Sequence, residues 1–561
     1  MTEDPPALLA QAIALHQQGA LTPAEALYRR ALAAAPRQPD ALHLLGVLIA
    51  QRGRPADAIP LIAAAIAEAP DNATFHANLG RARKAANHPA EALASFERAI
   101  QLGSTDPGVF NDRGNLLRDL QRPDAALESF DRAIALRPDY AEAYSDRGNA
   151  LHDLGRSPGA LDSYARAIAL RPDYAEAFNN RGNALHDLDR HQEALASYAQ
   201  ALALRPDYPD ALANRAGVYS VLGQHAAALQ SYDRALALQS DHPAAHFGRS
   251  FCLLQQGDLA RGWPEYEWRW RMLRLTERTG RFAQPPWLGA EPLAGKTILL
   301  HAEQGFGDTL QFCRYAAPLA ERAAQVLLVV PRPLARLLAT LDSPAKVLSA
   351  GDYLPPFDLH CPLLSLPLAL GTTLDTIPPP AHLIPPPERV AAWHKRLAPL
   401  PTPRIGLCWA GSPRRDDPVA RAIDRRRSIT LAHYAPLARV SGGTFVALQK
   451  GEAAVQATTP PAGLTVHDWT AELHDFADTA ALIEALDLVI TVDTAVAHLA
   501  ATLGKPTWIL NRFDACWRWL LDRSDSPWYP TVRLFRQPAP GDWQTVIDAV
   551  AAAFRDFAPH G

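Results

Sequence analysis

The first half of the chain repeats one pattern of small and large apolar positions every 34 residues. Alanines recur at this spacing in two series, and a large apolar residue follows each member of the first series by four positions. The first series is Ala24, Ala58, Ala92, Ala126, Ala160, Ala194 and Ala228, and the second is Ala31, Ala65, Ala99, Ala133, Ala167, Ala201 and Ala235. The large residues are Tyr28, Ile62, Phe96, Phe130, Tyr164, Tyr198 and Tyr232. The pattern predicts pairs of antiparallel helices, one pair in each repeat.

Glycines and prolines keep the same phase and complete the repeat. They are Gly46, Gly80, Gly114, Gly148 and Gly182, and Pro36, Pro70, Pro138, Pro172 and Pro206. Small residues let two helices approach, the aromatic residue fills the gap, and proline ends the second helix. The pattern resembles the tetratricopeptide repeat (TPR) over residues 5–242. A degenerate eighth unit with Gly262 and the run WPEYEWRW is interpreted as a cap that joins the repeats to the next domain.

Polar residues recur on the first helix of each repeat, which lines the concave surface in such a superhelix. One site holds Asn115, Asn149 and Asn183, and a second site three residues earlier holds Asn78, Asp112, Asp146, Asn180 and Asn214. A ladder of amides can donate to and accept from the backbone of an extended peptide. We therefore expect Asn78, Asn115, Asn149, Asn180, Asn183 and Asn214 to bind a peptide. The alternative is a solvated polar face duplicated with the repeat. Asp119, Asp153 and Asp187 favour a neutral or basic guest.

From Gly289 onward, short β-rich runs alternate with helical ones, which is typical of parallel sheets covered by helices. Strands are predicted at 297–301, 326–330, 346–349, 357–362, 404–410, 444–449, 464–469, 488–493 and 506–510. The proline-rich segment 376–403 reads as a stiff linker. The predicted domains are a TPR superhelix at 1–275, an amino-terminal Rossmann-like lobe at 285–375, the linker, and a carboxy-terminal lobe at 404–561. Ligands should bind in the cleft between the lobes.

The stretch Lys296–Ala316 predicts a strand, a glycine turn and a helix that begins with Asp308 as its cap. Gly305 and Gly307 allow a tight turn and a close approach to a ligand. The turn is not a dinucleotide fingerprint, because Leu310 occupies the third glycine position, and it lacks the GK[ST] of a P-loop. The residues alone leave helix capping and catalysis open as roles for Asp308.

Three further stretches are predicted to face the cleft. In 491–506, a strand ends at Asp493, Thr494 opens a helix, and His498 lies one turn later, so that donors converge where a phosphate would bind. The alternative there is a capped helix with a satisfied histidine. The loop 409–428 contains Ser412, six arginines including Arg427, and three aspartates. Its excess of positive charge could neutralise a pyrophosphate. For most of these arginines a solvated charge run is the better interpretation. Lys450 ends a predicted strand toward the same cleft.

Composition narrows the class of protein. The 561 residues carry a net charge of −4, which gives no signal for nucleic acid binding. The five cysteines are far apart and lack metal-ligand spacing, so buried free thiols in a reducing compartment are expected. The amino terminus shows no signal peptide, and no run of roughly 18 apolar residues predicts a membrane span. A cytoplasmic location is expected.

Together these motifs resemble the glycosyltransferases of the GT-B fold, in particular the heptosyltransferase-like family nine, and most of all bacterial proteins in which TPRs precede that domain. The resemblance rests on HAEQGFGDTLQFCRY, WAGSP with the later RRRS, LQKG, VDTAVAHLAATLGKP and WRWLLDRSDSPWYPTVRLFRQ. It implies that Asp308 is the base or lies beside the reacting sugar. It assigns Asp493, Thr494 and His498 to the donor phosphates, with Gly305, Gly307, Ser412, Arg427 and Lys450 around them. Ala495 departs from the family's DTG signature.

The expected function is an inverting glycosyltransferase that moves a sugar from a nucleotide-sugar donor to a protein acceptor docked in the TPR groove. Flagellin or another surface protein is the acceptor suggested by family analogy. No cofactor or metal is expected, because the catalytic half lacks an Asp-x-Asp motif. The alternatives are an inactive TPR scaffold or adaptor, and a transferase that acts on a lipopolysaccharide-type glycan.

Overall fold

The structure is a computed structural model, and it describes residues 4–273, 275, 282–413, 418–440 and 442–557. The chain divides into two compact units, Met1–Pro206 and Asp207–Gly561. Among the described residues, no helix has both the length and the apolar character needed to cross a membrane.

The first unit consists of paired antiparallel helices, as the 34-residue period predicts. Their bounds are Pro5–Gln17, Leu21–Ala34, Pro39–Gln51, Pro55–Glu68, Ala73–Ala85, Pro89–Gln101, Pro107–Asp119, Pro123–Leu136, Ala141–Asp153, Ser157–Leu170, Ala175–Asp187 and His191–Leu204. The periodic glycines lie under the large apolar residue of the partner helix. A Cβ built on Gly148 would lie 2.5 Å from Cε1 of the buried Tyr164, so that only glycine permits this approach.

The second unit begins with further helices of the repeat type. They are Pro209–Val221, His225–Leu238, Pro243–Gln255, Leu259–Tyr266 and Arg269–Met272. We call the last three the cap helices. Their buried side chains, including Leu254 and Trp263, belong to the same apolar cluster as Ile298 and Leu310 of the α/β region. Because they share one core with that region, these helices fold as part of the second unit.

The first α/β lobe contains a parallel sheet in the order β3-β2-β1-β4. The strands are β1 (Thr297–His301), β2 (Gln325–Val330), β3 (Lys346–Ser349) and β4 (Leu359–Pro362). The α-helices of the lobe are Phe306–Phe312, Ala316–Ala320, Arg332–Leu338 and Leu366–Ala369, with 3₁₀ turns at Cys313–Tyr315, Leu363–Ser365 and Leu374–Thr376. β1, which is buried from Ile298 to His301, lies between two strands, so the loop that follows it emerges near the middle of the sheet's carboxyl edge.

The second lobe contains a parallel sheet in the order β10-β9-β8-β5-β6-β7. Its strands are β5 (Arg404–Cys408), β6 (Thr444–Ala447), β7 (Val466–His467), β8 (Leu488–Val492), β9 (Thr507–Asn511) and β10 (Val532–Arg536). The α-helices are Pro418–Arg427, Phe476–Glu484, Ala495–Thr502 and Trp543–Arg555, and 3₁₀ helices occupy Leu431–Arg439, Glu452–Thr458, Thr470–Glu472 and Trp517–Trp519. The elements that the sequence did not predict include the helix Pro387–Leu397, which interrupts the proline-rich linker, and the edge strand β10.

Candidate functional site

The glycine loop begins its helix earlier than the sequence suggests. Gly305 is the N-cap, the helix runs from Phe306 to Phe312, and Asp308 is its third residue. The Asp308 carboxylate reaches back and accepts a hydrogen bond from the Gly305 N–H through Oδ2 at 2.8 Å. The expectation that Asp308 is the N-cap is therefore corrected, because its side chain satisfies a donor ahead of the helix from within the first turn.

The other carboxylate oxygen of Asp308 pairs with a residue that the sequence did not single out. Arg518 donates to Asp308 Oδ1 through Nη2 at 2.5 Å and to Gln311 Oε1 through Nε at 2.6 Å. The Arg518 side chain is 8% exposed and lies 4.3 Å above the Trp517 ring, whereas that of Asp308 is 20% exposed. The only sequence signal was the aromatic–arginine run WRW within a motif already noted. The ion pair joins the first lobe to the second.

Gly307 brings the glycine loop against the helix that follows β8. A Cβ at Gly307 would lie 2.7 Å from Cδ2 of His498 and 3.5 Å from Cα of Ala495. Only a residue without a side chain allows this approach. The structure therefore places the glycine-loop motif in direct contact with the motif that follows β8.

His498 is buried and held by aromatic neighbours. Its Nδ1 lies 3.1 Å from the Tyr529 hydroxyl, its ring stacks on Trp519 at 5.4 Å, and its Nε2 lies 4.0 Å from Asp493 Oδ1. Burial lowers the pKa of His498 to about 4, although the Asp493 carboxylate opposes this shift. The ring is therefore neutral at pH 7 and can offer a hydrogen bond but no positive charge.

The helix start after β8 offers backbone donors. Thr494 precedes the helix Ala495–Thr502, and its hydroxyl lies 3.2 Å from the Thr491 hydroxyl. Within the described part of the chain, the N–H groups of Ala495 and Val496 have no hydrogen-bond acceptor. Both residues are half-buried, so these N–H groups and the helix dipole remain available to an anion.

Arg427 reaches this helix start as the last residue of the helix Pro418–Arg427, so the predicted loop 409–428 is corrected to a helix from Pro418 onward. Its Nη1 donates to the Asp493 carbonyl at 3.2 Å, and Asp424 Oδ1 accepts from its Nε at 3.0 Å. A Cβ on Gly411 would lie 2.4 Å from Arg427 Nη2, so the guanidinium passes directly over this glycine. Ser412 follows Gly411 and is exposed. The predicted charge run at 414–417 lies outside the described residues.

Lys450 is directed to another part of the lobe. Its Nζ donates to the Thr470 carbonyl at 3.0 Å and to the Leu473 carbonyl. The residue before it, Gln449, is buried, and its Oε1 accepts from the N–H groups of Trp409 (3.0 Å) and Ala410 (2.7 Å). Gln449 thus fixes the turn after β5, a role that sequence reasoning missed because one buried glutamine carries no motif.

The amides of the repeat array are held in an ordered row. The hydroxyls of Tyr164 and Tyr198 donate to Oδ1 of Asn149 (2.8 Å) and Asn183 (2.7 Å), and Asn180 Nδ2 also donates to Asn149 Oδ1. Among the described residues, the Nδ2 groups of Asn149 and Asn183 have no hydrogen-bond partner. The tyrosines therefore orient both amides so that their N–H groups stay available.

Other members of the row are paired inside the array. Asn115 Nδ2 donates to Asp146 Oδ2 at 2.7 Å, and Asn78 Nδ2 lies 2.8 Å from His43 Nε2. Asn214 is half-buried in the second unit. Asn115 and Asn78 thus link neighbouring repeats. The sequence had suggested only peptide binding or a solvated polar face for these residues.

With the geometry described, comparison with known proteins defines the class. Tetratricopeptide repeat profiles match residues 50–109, 114–155, 148–189, 175–208 and 214–266. The profile of Glycosyltransferase family 9 (heptosyltransferase) matches residues 471–510, which include β8, Asp493, Thr494 and His498. The chain thus carries TPRs followed by a segment, residues 471–510, that matches the model of glycosyltransferase family 9.

The chain is 30% identical over 337 residues to Protein FlbA of Caulobacter vibrioides, a match that covers 56% of this chain and 55% of that protein. It therefore spans about half the length of this relative. Among solved structures, YrrB, a TPR protein with an unusual peptide-binding site, is 24% identical and covers 33% of this chain and 95% of its own, with a TM-score of 0.30. MamA is 22% identical and covers 29% of this chain and 95% of its own, with a TM-score of 0.27.

Proposed function

We propose that this protein is an inverting, metal-independent glycosyltransferase with a GT-B arrangement of two lobes, which moves a sugar from a nucleotide-sugar donor to a protein acceptor. One observation carries the proposal. The glycine loop with Asp308 and the helix start with Thr494 meet at the contact between Gly307 and His498, so a carboxylate and an anion-binding helix end lie on either side of one small region.

The donor phosphates would bind at the helix start after β8. The N–H groups of Ala495 and Val496 and the guanidinium of Arg427 supply donors and positive charge to the departing nucleoside phosphate. The neutral His498 would contribute a hydrogen bond. Lys450 would take part only after leaving the carbonyls of Thr470 and Leu473. These groups neutralise the leaving group without a metal ion.

The acceptor would react from the glycine-loop side. In the proposed step, an acceptor hydroxyl oxygen forms a bond to the anomeric carbon, the bond from that carbon to the phosphate oxygen breaks, and the hydroxyl proton passes to the Asp308 carboxylate. The two oxygens of a carboxylate offer about four lone-pair sites, so the bonds from Gly305 and Arg518 leave room for this proton. Arg518 would hold the carboxylate in one orientation.

The protein acceptor would lie along the amides of the repeat array. Tyr164 and Tyr198 present the N–H groups of Asn149 and Asn183 to a guest, and such donors match the carbonyl oxygens of an extended backbone. Asp153 and Asp187 favour a neutral or basic segment, although each pairs with a cationic or titratable residue of the preceding repeat, Arg118 or His152. Flagellin or another surface protein would be such an acceptor, modified in the cytoplasm.

Replacement of the proposed base tests the reaction directly. In Asp308→Asn, sugar transfer should fall by about 10²–10⁴-fold, which is the usual contribution of a general base, while the circular dichroism spectrum stays unchanged. Asp542→Asn is the matched control, because Asp542 also accepts a hydrogen bond at a helix start, from the Thr545 N–H, but lies outside the proposed site. Transfer by Asp308→Asn within a few-fold of the wild type would show that the base is another group.

A second candidate function has its own support. Both oxygens of Asp308 are already engaged, and Lys450 is bound to backbone carbonyls, which is also what a scaffold without transferase activity would show. Thermal shift measurements with a panel of nucleotide sugars separate the two functions, because a ligand that binds the folded state raises its melting temperature. Stabilisation by a donor supports the transferase, and its absence with every donor supports the scaffold.

A further inference from the structure

Arg269 of the cap helices is buried completely inside the second unit. It contacts Glu303 through Nε at 2.9 Å and Nη2 at 2.8 Å, and the side chains of both residues are 0% exposed. Its Nη2 also donates to Ser365 Oγ at 2.7 Å, and its Nη1 donates to Glu267 Oε1 at 2.5 Å. A guanidinium with this many partners fixes the geometry of the groups around it.

Glu303 stands two residues before Gly305, at the entry to the glycine loop. Burial raises the pKa of Glu303 to about 7, and the charge of Arg269 opposes this shift. Removal of Arg269 would leave this buried carboxyl without its counter-charge. The Gly305 N–H donates a hydrogen bond to the Asp308 carboxylate. A change in the position of Glu303 would therefore move this carboxylate through the backbone of residues 303 to 305.

The cap helices also hold the segment that carries Arg518. Gln255 Nε2 donates to the Ala515 carbonyl at 2.6 Å, and the Trp263 ring meets the Trp517 ring edge-on at 5.2 Å. Leu520, which follows this segment, has a φ of 50°. A leucine in the left-handed region is strained and persists only where the surrounding packing determines it. The cap helices supply part of that packing.

We propose that the cap helices support the catalytic site from outside it, and that Arg269 and Trp263 are positioning residues that hold Asp308 and Arg518 in register from the two lobes. This inference rests on the proposed function. It adds that the two transferase lobes need the cap helices at the end of the repeat array in order to keep the site in its active geometry. The pair comes from two segments 210 residues apart. The first segment contacts the third cap helix through Arg269, and the second contacts the other two cap helices through Gln255 and Trp263. Loss of either contact displaces one member of the pair relative to the other.

The test uses the full chain with Arg269→Gln and Trp263→Phe. Hydrogen exchange should become faster in peptides that cover 303–312 in the first variant and 515–520 in the second, because each segment loses its support. The kcat of sugar transfer should fall by roughly 10²-fold, the loss expected from a displacement near 1 Å, while the KM for the donor stays within about two-fold. Arg269→Lys should recover part of the kcat because it keeps the charge.

The matched controls are Arg249→Gln in the first cap helix and Trp268→Phe in the turn before the third. Arg249 pairs with Glu265 and Asp233, and Trp268 stacks on His246 at 4.0 Å, so neither lies in the described contacts to the glycine loop or to Arg518. Both controls should leave exchange at 303–312 and 515–520 and the kcat unchanged. Unchanged exchange at these peptides in Arg269→Gln and Trp263→Phe would overturn the inference, and so would an equal change in the controls.

The exchange measurements separate this inference from the proposed function. If the wild type transfers no sugar, the proposed function fails, yet faster exchange confined to the two peptides still shows that the cap helices hold both segments. If Arg269→Gln does not fold, Arg269→Lys and Trp263→Phe carry the same test. A kcat that falls together with an equal loss of donor affinity would mean that these residues support the whole fold and do not position the pair.

Discussion

At the scale of single residues, the contacts of Asp308 and of His498 come from residues far away in the chain. Asp308 is paired with Arg518, and His498 is enclosed by Gly307, Trp519 and Tyr529. The types of both residues were sufficient to mark them as candidates. Their orientation and partners follow only from the tertiary packing, and burial keeps the His498 ring neutral.

Acid should destabilise the second unit through His498. The folded-state pKa of His498 is about 4, so below pH 6.5 the unfolded chain binds a proton that the folded chain does not. The contribution of His498 to the free energy of unfolding therefore keeps its full value above pH 6.5 and decreases as the pH falls toward 4. The decrease between pH 7 and pH 5 is about 2 kcal/mol.

The variant His498→Gln should lose less stability than the wild type over that interval. Differential scanning calorimetry at pH 7 and pH 5 measures the shift in the melting temperature of the transition of residues 207–561 for both proteins. Burial also lowers the pKa of His43 and of His301, but both residues remain in the variant, so their effects cancel in the difference. Equal shifts in the two proteins would contradict the assignment of a depressed pKa to His498.

At the scale of the elements, five helix pairs of the repeats depend on a glycine that lies under a large side chain. This contact recurs from Gly46 with Ile62 to Gly182 with Tyr198. Glycine inside a helix is usually unfavourable, so its retention here indicates that packing outweighs helix propensity. In the later repeats the same tyrosine also orients the groove asparagine, which ties the core of the repeat to its proposed binding surface.

Gly148→Ala should destabilise the first unit, whereas Gly159→Ala should not. A Cβ at residue 148 would lie 2.5 Å from Tyr164, and overpacking of this kind typically costs about 1–3 kcal/mol. At Gly159 the nearest atom would be Leu151 Cδ1 at 3.5 Å, so alanine should stabilise the helix by up to about 1 kcal/mol. Urea unfolding followed by circular dichroism measures both changes, and a stabilised Gly148→Ala would refute the packing argument.

At the scale of the whole molecule, the proposed reaction and the proposed acceptor binding fall in different units of the chain. The proposed reaction lies in the second unit, whereas Asn149 and Asn183 lie in the first. Each unit has its own core, so a surface change in one should leave the other folded. This separation makes the role of the groove testable without disturbing the donor site.

The double variant Asn149→Ala with Asn183→Ala should slow transfer to a protein acceptor, because it removes two side-chain N–H donors that each contribute about 1 kcal/mol to acceptor binding. Donor hydrolysis should stay within about two-fold of the wild-type rate, because both amides belong to the first unit and the proposed donor site belongs to the second. Tyr164→Phe with Tyr198→Phe is the companion variant, since it keeps the amides but removes the hydroxyls that orient them. It should show a smaller loss of the same kind. Equal losses of transfer and hydrolysis would mean that the groove does not bind the acceptor.

Much of the fold could be predicted because its signals are local. Period 34 determined the helix pairs, and continuous apolar runs marked strands such as Thr297–His301 and Leu488–Val492. The strand Val532–Arg536 was missed because an edge strand with exposed Arg533 lacks such a run. The helix Pro387–Leu397 was missed because its prolines suggested an extended linker, although proline is well suited to the first turn of a helix.

By itself, the sequence determined which segments form repeats, strands and glycine turns, and which residue types could carry chemistry, because these depend on neighbours a few positions away. The tertiary structure alone decided that Arg518 meets Asp308, that Lys450 is bound to Thr470, that His498 is buried and neutral, and that the cap helices belong to the α/β unit. These outcomes depend on packing between segments that lie far apart in the chain. The pattern of apolar residues records that such segments are buried, but not which of them meet.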